Sequence, residues 1–372
     1  MNQETILQYE PYIEKSDIKK LNEYLESGGF ITEYKKTKDF ENEISMFCNV
    51  KEAVIFPNGT LTLFSILKVL GIKKGSKVIV PNYTMAATAF SVVETGAEVI
   101  FCDIEWPSLC LSLDNLNQIL EEEKYDITAI MFMPANGRYP SYDIKCLIDI
   151  CKKHNIFLIE DSAQALGSYY PSGEHMGTIG IAGSFSFSMP KIITTGQGGA
   201  VVSSNQDLIK LLRKYRDFGR SGGGGSDNHD SIGLNLKFTD LQAVLGISQI
   251  QRIDKIINIK KKNFDLLYKL VNNPYLNLLP NDLNNTTPWF YEVTTNFRDE
   301  LTIWLKKNNI CSRVMYPELN KQKAFKMHRQ QKDIFPKSKK ISNQGLWIPS
   351  HPKLNKEMIL RIIEVLNRFK PN

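Results

Sequence analysis

The stretch SFSFSMPKIITTGQGGAVV, residues 184–202, places one lysine between two short apolar strands and follows it with a glycine-rich turn. Pro190 disfavours helical backbone at the residue before it, so Met189 and Lys191 are predicted to lie in an irregular segment between the strands. The glycines of the turn permit a close approach of the backbone to another group. A lysine in this setting is either a solvated surface charge or an amine directed into a site, and the surrounding chain decides between the two.

The chain from residue 52 to about residue 205 alternates short apolar runs with helical patterns. This alternation is typical of βαβ units and predicts an α/β fold with a mostly parallel sheet between helices. In such sheets, ligands bind at the carboxyl ends of the strands. The predicted strands are residues 53–56, 77–80, 98–102, 127–132 and 156–159.

A change of composition near residues 255–262, a lysine-rich helical segment, predicts a domain boundary. We expect residues 1–254 to form an N-terminal arm and a large domain, and residues 255–372 to form a smaller α+β domain. The four consecutive glycines at 222–225 have the composition of a flexible linker. Because helical patterns resume soon after them, they are predicted to form a mobile loop inside the large domain.

The composition excludes several classes of function. The 372-residue chain has a net charge of +6, but its charges are interspersed without a run of five like charges, so no nucleic acid partner is expected. Its six cysteines lack CxxC spacing, which argues against disulfides and zinc, and no metal is expected. The N-terminus has no signal-peptide pattern and no apolar run reaches 18 residues, so we expect a soluble, cytoplasmic protein and no membrane partner.

Several polar residues fall at or just after predicted strand ends. Gly59 and Thr60 lie between a strand and a helix start, where free N–H groups favour a phosphate, although a simple helix cap fits the same residues. Asp161 closes a strand and Gln164 lies on the following turn; each is either solvated or directed into a cleft. Together with Lys191, these residues form the set that a pyridoxal phosphate enzyme requires: an amine for the aldehyde, a carboxylate for the pyridine nitrogen and donors for the phosphate.

The chain resembles the DegT/DnrJ/EryC1/StrS sugar aminotransferases, which are fold-type I pyridoxal phosphate enzymes. The resemblance rests on five segments in order and at family-like spacing, and it runs almost from end to end. It implies a large domain with a mixed, mostly parallel sheet and a smaller C-terminal α+β domain. The segments are NGT (58–60), VPNYTMAAT (80–88), EDSAQALG (160–167), SFSMPK with TGQGGAVV (186–191 and 195–202), and GLNLK with DLQA (233–237 and 240–243).

The resemblance also implies roles for individual residues. Lys191 would form a Schiff base with pyridoxal 5'-phosphate and move the proton, Asp161 would pair with the pyridine nitrogen, and Gln164 would lie near the ring hydroxyl. The active unit would be a homodimer whose glycine loop lines the partner's active site. The phosphate contacts that the resemblance implies are those of Gly59, Thr60, Ser186 and, from the neighbouring subunit, Asn235.

Four positions depart from the family pattern. Met85, a cofactor-binding position, stands where an aromatic residue commonly stacks on the cofactor ring, and Tyr83 is an alternative ring. Gln197 replaces a common glutamate, Asn136 replaces a frequent histidine, and the segment YPELN that begins at Tyr316 lacks a second proline and a histidine. Several of these positions bear on the acceptor pocket, so the acceptor stays open. The candidate substrate-binding residues are Tyr83, Arg220 and Tyr316.

The implied activity is transfer of an amino group from L-glutamate to a keto-sugar, in most cases linked to a nucleotide, for surface polysaccharide or amino-sugar biosynthesis. Pyridoxamine 5'-phosphate would be the intermediate form of the cofactor. Three alternatives stay open: an acceptor that is a small phosphorylated ketone or a cyclitol ketone, a pyridoxal phosphate-dependent sugar dehydratase, and a non-catalytic pyridoxal phosphate-binding protein. The dehydratases of this group have a histidine at the position of Lys191, which favours transfer over dehydration.

Overall fold

The computed structural model describes residues 4–122, 126–221, 227–328 and 334–371, so the glycines on which the loop prediction rests lie outside the described residues. The first sheet has seven strands: β1 (Glu52–Phe56), β2 (Lys77–Pro81), β3 (Glu98–Cys102), β4 (Ile127–Phe132), β5 (Phe157–Asp161), β6 (Ala182–Ser186) and β7 (Gly199–Ser203). Their order across the sheet is β1-β7-β6-β5-β4-β2-β3. All neighbouring pairs from β6 to β3 are parallel, whereas β7 runs antiparallel to β6 and β1. The predicted α/β fold with a mixed, mostly parallel sheet is confirmed.

Helices cover both faces of this sheet. They are α1 (Lys15–Glu26), α2 (Lys35–Phe47), α3 (Gly59–Val69), α4 (Ala86–Val93), α5 (Leu113–Glu121), α6 (Ile144–Lys153), α7 (Gln206–Arg216) and α8 (Asp240–Ile250). Successive strand residues point to opposite faces. In β1, for example, Val54 and Phe56 pack with α3, α4 and α7, whereas Ala53 and Ile55 pack with α2 and α8 on the other face.

A second, antiparallel sheet lies in the C-terminal part of the chain. Its strands are β8 (Asn277–Leu278), β9 (Tyr291–Thr294), β10 (Arg313–Val314) and β11 (Gly345–Ile348), in the order β10-β11-β9-β8. The helices are α9 (Ile253–Leu270), α10 (Arg298–Lys307), α11 (Pro336–Gln344) and α12 (Lys356–Asn367). Apolar residues of β9 and β11 form one core with α9, α10 and α12. This arrangement of strands and helices agrees with the α+β character predicted for this part of the chain.

Helix α9 joins the two cores. Ile253 and Ile256, in its first turn, belong to the core of the first sheet, whereas Phe264 and Leu267 belong to the core of the second. The predicted boundary between residues 254 and 255 therefore falls inside one continuous helix, and the division into two domains stays a prediction. The N-terminal segment reaches the second core, because Ile6 is buried there and pairs with Ile310.

The sheet brings several candidate residues to one edge. Asp161 is the last residue of β5 and Ser186 the last of β6, and these strands are parallel neighbours. The turn that follows β1 leads directly into α3 at Gly59. The carboxyl ends of parallel strands thus place these residues where a ligand site is expected. Within the described ranges, no helix is long and apolar enough to cross a lipid bilayer.

Candidate active site

Lys191 lies in the loop that joins β6 to β7, and aromatic side chains contact it from distant parts of the chain. Its Nζ atom lies 4.1 Å from the centroid of the Trp289 ring. The indole N–H of Trp289 donates to the Pro190 carbonyl (2.6 Å), and the Tyr9 hydroxyl donates to the Lys191 carbonyl (2.9 Å). The lysine is therefore held at its backbone and at its amine, which is not the setting of a solvated surface charge.

The environment of the Lys191 amine changes its acidity. Burial lowers its pKa from the ordinary 10.5 to about 8. The negative charge of Asp161 opposes this shift, and the positive charge of Arg313 adds to it. An amine with a pKa near 8 is partly neutral at physiological pH, so it can attack a carbonyl carbon or accept a proton.

Asp161 is buried, with a side chain that hydrogen bonds orient. The Thr88 hydroxyl donates to its Oδ2 atom at 2.6 Å, and the backbone N–H of Ala163 donates to Oδ1 at 3.3 Å. Burial raises the pKa of this carboxyl, and the Thr88 bond and the Lys191 charge oppose the increase. Asp161 is thus a buried carboxyl within electrostatic reach of the Lys191 amine, and its pairing with a pyridine nitrogen stays a prediction.

The start of α3 has the features of a phosphate site. The Asn58 side chain caps the helix by accepting from the N–H of Leu61 (3.0 Å), and the first N–H groups of a helix have no partner inside it. A Cβ atom on Gly59 would lie 2.9 Å from the Cβ of Ser186, so only glycine fits here without a shift. Gly59, Thr60 and Ser186, predicted as one set, thus lie around one helix N-terminus, where an anion is favoured.

Gln164 and Met85 occupy different environments. Gln164 is buried, and its Oε1 atom accepts a hydrogen bond from the backbone N–H of Asn136 (2.7 Å). This bond fixes the side chain, and the amide nitrogen donates one N–H to the Met133 sulfur (3.8 Å), which leaves its second N–H as an available donor. Met85 precedes α4 and has an exposed thioether side chain (47 %), so an apolar surface is open at the carboxyl end of β2.

The candidate substrate-binding residues do not form one group within this chain. Tyr83 is buried and packs against Tyr316, with ring centroids 5.8 Å apart. Arg220 instead forms ion pairs with Asp217 (2.6 Å) and Asp227 (3.0 Å). None of the contacts described for Arg220 joins it to the lysine of the site, and its role in substrate binding stays a prediction.

Two asparagines, Asn136 and Asn235, make contacts in the structure other than those that the sequence predicted for them. Asn136, interpreted as part of the acceptor pocket, is buried, and its side-chain amide forms two hydrogen bonds with the backbone of Phe290 (2.6 and 2.9 Å). Its immediate role is to connect this turn to the segment before β9. Asn235, assigned to the neighbouring subunit's phosphate, is exposed and pairs through its backbone with Asp217.

Three residues of the site were missed at the level of sequence. Thr88 lies inside one of the family-like segments, four residues after Thr84, and that helical spacing was the only available signal for it. Tyr9 and Trp289 carried no signal, because they lie 182 and 98 residues from Lys191 in the chain.

The fold and the site together define a class of protein. A mixed α/β sheet with a half-buried lysine, a buried aspartate and a helix N-terminus at the ends of its strands is characteristic of fold-type I pyridoxal phosphate-dependent aminotransferases. The model of the DegT/DnrJ/EryC1/StrS aminotransferase family matches residues 11–367, and the chain belongs to that family. Family membership implies the use of pyridoxal phosphate and confirms the resemblance seen in the sequence.

Individual proteins support this assignment. The chain is 31 % identical to the GDP-perosamine synthase of Vibrio cholerae over 97 % of its length and 98 % of the relative's. It is 30 % identical to the GDP-perosamine synthase of Escherichia coli O157:H7, with 97 % of each chain covered. Its structure is similar to that of an aminotransferase from Psychrobacter cryohalolentis, with a TM-score of 0.87, 25 % identity and coverage of 96 % and 97 % of the two chains.

Proposed function

We propose that this aminotransferase binds pyridoxal 5'-phosphate through Lys191 and moves the amino group of L-glutamate to a keto-sugar linked to a nucleotide, for polysaccharide or amino-sugar biosynthesis. The observation that carries the proposal is the Lys191 amine, which lies against the Trp289 ring and within electrostatic reach of the buried Asp161 carboxyl. The two GDP-perosamine synthases support the choice of acceptor, since their product is an amino sugar on a nucleotide.

The residues present fit the cofactor. Its aldehyde needs a neutral amine, and the pKa of Lys191 near 8 supplies one. Its pyridine nitrogen needs a carboxylate, and Asp161 is a buried carboxyl that interacts electrostatically with that amine. Its phosphate needs donors with room for close approach, and the start of α3 offers N–H groups next to Gly59, where a Cβ would fill the space.

Lys191 is the residue that moves the proton in this proposal. When bound, the cofactor supplies an electron-withdrawing ring that weakens the C–H bond next to the amino group. The Lys191 Nζ atom, when it is free, accepts that proton in its neutral form and returns a proton in its charged form. A pKa near 8 suits both steps, because both forms are well populated near neutral pH.

Asp161 and its neighbours orient the ring in this proposal. The carboxylate would keep the ring nitrogen of the bound cofactor protonated, and the Thr88 hydroxyl favours the charged form of the carboxyl by donating to it. Gln164, fixed by its bond from Asn136, would donate to the ring oxygen. Met85 would pack its exposed thioether on the ring in place of the usual aromatic residue.

A homodimer is part of the proposal. Asn235 is exposed, so its side chain is available to a second copy of the chain. Arg220 is paired with two aspartates in its own chain, so a role at the partner's site requires it to exchange one of these ion pairs. In a dimer, Asn235 would donate to the partner's phosphate site and Arg220 would lie near the partner's substrate. Tyr83 and Tyr316 would then contribute to the acceptor pocket of their own subunit.

Two measurements test the proposal. Purified protein mixed with pyridoxal phosphate should develop an imine absorbance band that Lys191→Ala abolishes and that Lys152→Ala, at an exposed helix end, retains. The loaded enzyme is then incubated with ¹⁵N-glutamate and a panel of GDP- and dTDP-linked keto-sugars. Incorporation of ¹⁵N into a nucleotide sugar is expected. Loss of a sugar hydroxyl without ¹⁵N, or incorporation only into small keto-phosphates, would contradict the proposed reaction.

A further inference from the structure

Trp289 contacts the lysine segment twice. Its indole N–H donates to the Pro190 carbonyl at 2.6 Å, and the face of its ring lies 4.1 Å from the Lys191 Nζ atom. Tyr9 contacts the same segment once, through its hydroxyl, which donates to the Lys191 carbonyl. The backbone carbonyls of Pro190 and Lys191 thus each accept a hydrogen bond from an aromatic side chain. Of Trp289 and Tyr9, only Trp289 also contacts the lysine amine.

The Trp289 ring is itself held in place. It is 3 % exposed, stacks on Phe290 with ring centroids 3.8 Å apart, and meets the edge of Trp347 at 5.8 Å. Phe290 is in turn clamped by the Asn136 side chain through both backbone groups. The ring therefore has little freedom to turn away from the amine, and the contact is built into the fold.

We propose that Trp289 is a positioning residue for Lys191: its N–H fixes the Pro190 carbonyl, and its ring face stabilises the Lys191 amine in the charged form whenever that amine is free. This inference rests on the proposed function, in which the free amine carries the proton. It assigns to Trp289 control over how readily the amine gives that proton back.

Burial, two charged groups and one aromatic ring act on this amine. Burial and the positive charge of Arg313 lower its pKa, and the negative charge of Asp161 raises it. The Tyr9 hydroxyl is occupied by the backbone carbonyl. An indole face attracts a cation, more strongly than a benzene ring does, so loss of the Trp289 ring should lower the pKa of Lys191 by about half to one and a half units.

The test measures the amine in apo protein, without turnover. Acetylation of the Lys191 peptide by a limiting reagent is followed by mass spectrometry as a function of pH, and its midpoint gives the pKa. We expect the midpoint to fall in the order wild type, Trp289→Phe, Trp289→Leu, because phenylalanine keeps a weaker ring and leucine keeps none. Leucine also keeps the site apolar, so added hydration of the amine is limited.

Two control variants separate the ring from the hydrogen bonds. Trp304→Phe removes an equivalent indole bond, to the Val365 carbonyl at 2.8 Å, far from any contact with Lys191. Tyr9→Phe removes the bond to the Lys191 carbonyl but leaves the amine and Trp289 in place. Both should leave the midpoint within about 0.3 units of wild type, a shift smaller than the one expected from the ring.

An unchanged or raised midpoint in Trp289→Phe and Trp289→Leu would overturn the inference, as would an equal shift in Tyr9→Phe. If Trp289→Leu does not unfold cooperatively, it is not correctly folded and its midpoint is not used. The difference in midpoint between Trp289→Phe and Trp304→Phe then decides whether the inference holds. Failure of the proposed function is recognised separately: borohydride reduction of the wild-type protein with pyridoxal phosphate would then attach no cofactor to Lys191, whatever the midpoints are.

Discussion

The Thr88 hydroxyl donates a 2.6 Å hydrogen bond to the Oδ2 atom of Asp161, and Thr84 Oγ1 lies 2.9 Å from Thr88 Oγ1. Because Thr88 gives its only hydrogen to the carboxyl, any hydrogen between the two hydroxyls belongs to Thr84, for which the Met133 sulfur at 2.9 Å is the competing acceptor. Burial raises the pKa of this carboxyl, and the Thr88 bond opposes the increase. A first-turn threonine of α4 therefore helps to keep the proposed partner of the cofactor ring charged.

Replacement of Thr88 by valine should weaken cofactor binding. The variant keeps the shape of the side chain but removes a donor to a charged acceptor, which is worth about 1.5–3 kcal/mol, or roughly tenfold to a hundredfold in affinity. Titration of apo protein with pyridoxal phosphate, followed by absorbance, measures the change. Thr88→Ser should restore affinity because it restores the hydroxyl.

The matched control for this experiment is Thr95→Val. The Thr95 hydroxyl lies just after the same helix and donates to the Val92 carbonyl at 2.7 Å, without contact to Asp161. Its loss should leave cofactor affinity unchanged even if stability falls slightly. Wild-type affinity in Thr88→Val, or equal losses in the two valine variants, would argue against the role given to Thr88.

The acidity of Lys191 predicts how cofactor uptake depends on pH. Only the neutral amine attacks the aldehyde, so the uptake rate of apo protein should rise about tenfold per pH unit below 8 and level off above it. Asp161→Asn should move the midpoint to lower pH, because the Asp161 charge raises the pKa of the amine. Stopped-flow absorbance gives both profiles. A wild-type midpoint near 10.5 would mean that the amine is solvated.

Gly59→Ala tests the phosphate site. The new Cβ would lie 2.9 Å from the Cβ of Ser186, so the helix start or the serine must shift. We expect affinity for pyridoxal phosphate to fall by about tenfold or more, since each lost or lengthened bond to a charged group costs about 1.5–3 kcal/mol. Pyridoxal, which lacks the phosphate, serves as the internal control and should bind nearly as it does to wild type. Equal losses for both ligands would place the phosphate elsewhere.

Local patterns predicted the local part of this site well. The apolar run 127–132 is β4 itself, and Asp161 and Gly59 lie at the strand end and the helix start that were expected. Such features depend on neighbouring residues: side-chain alternation, glycine, and capping groups. The contacts of Tyr9 and Trp289 with the lysine segment depend instead on how the second core packs beside the first. Short-range periodicity carries no information about that packing.

Asn136 shows the same limit of prediction from local sequence: its position was identified, but its contacts were not. Its position in the family pattern suggested the acceptor pocket, yet its amide binds the Phe290 backbone in a buried turn. A buried backbone segment needs partners for its N–H and C=O groups, and an asparagine supplies both a donor and an acceptor. That requirement arises only once the two segments, 154 residues apart, are packed together.

Lys260 provides a prediction about stability that is independent of catalysis. The residue is 1 % exposed in α9, and its Nζ atom donates to the Ser350 carbonyl at 2.6 Å. Burial lowers its pKa to about 7, against 10.5 for an ordinary lysine. Between these pH values the unfolded chain binds a proton that the folded chain has released. The free energy of unfolding should therefore rise with pH, by up to about 1.4 kcal/mol per unit from this group.

Lys260→Met removes this dependence while filling the same space with an unbranched apolar side chain. We expect the free energy of unfolding of the variant, relative to wild type, to be highest at pH 7 and to fall by about 2–3 kcal/mol by pH 9, because wild type gains stability over that range. Urea unfolding at pH 7, 8 and 9 measures the difference. Lys262→Met, at an exposed position of the same helix, should show no such trend. A parallel pH profile for Lys260→Met and wild type would show that the buried amine keeps its proton, held by a partner stronger than one carbonyl.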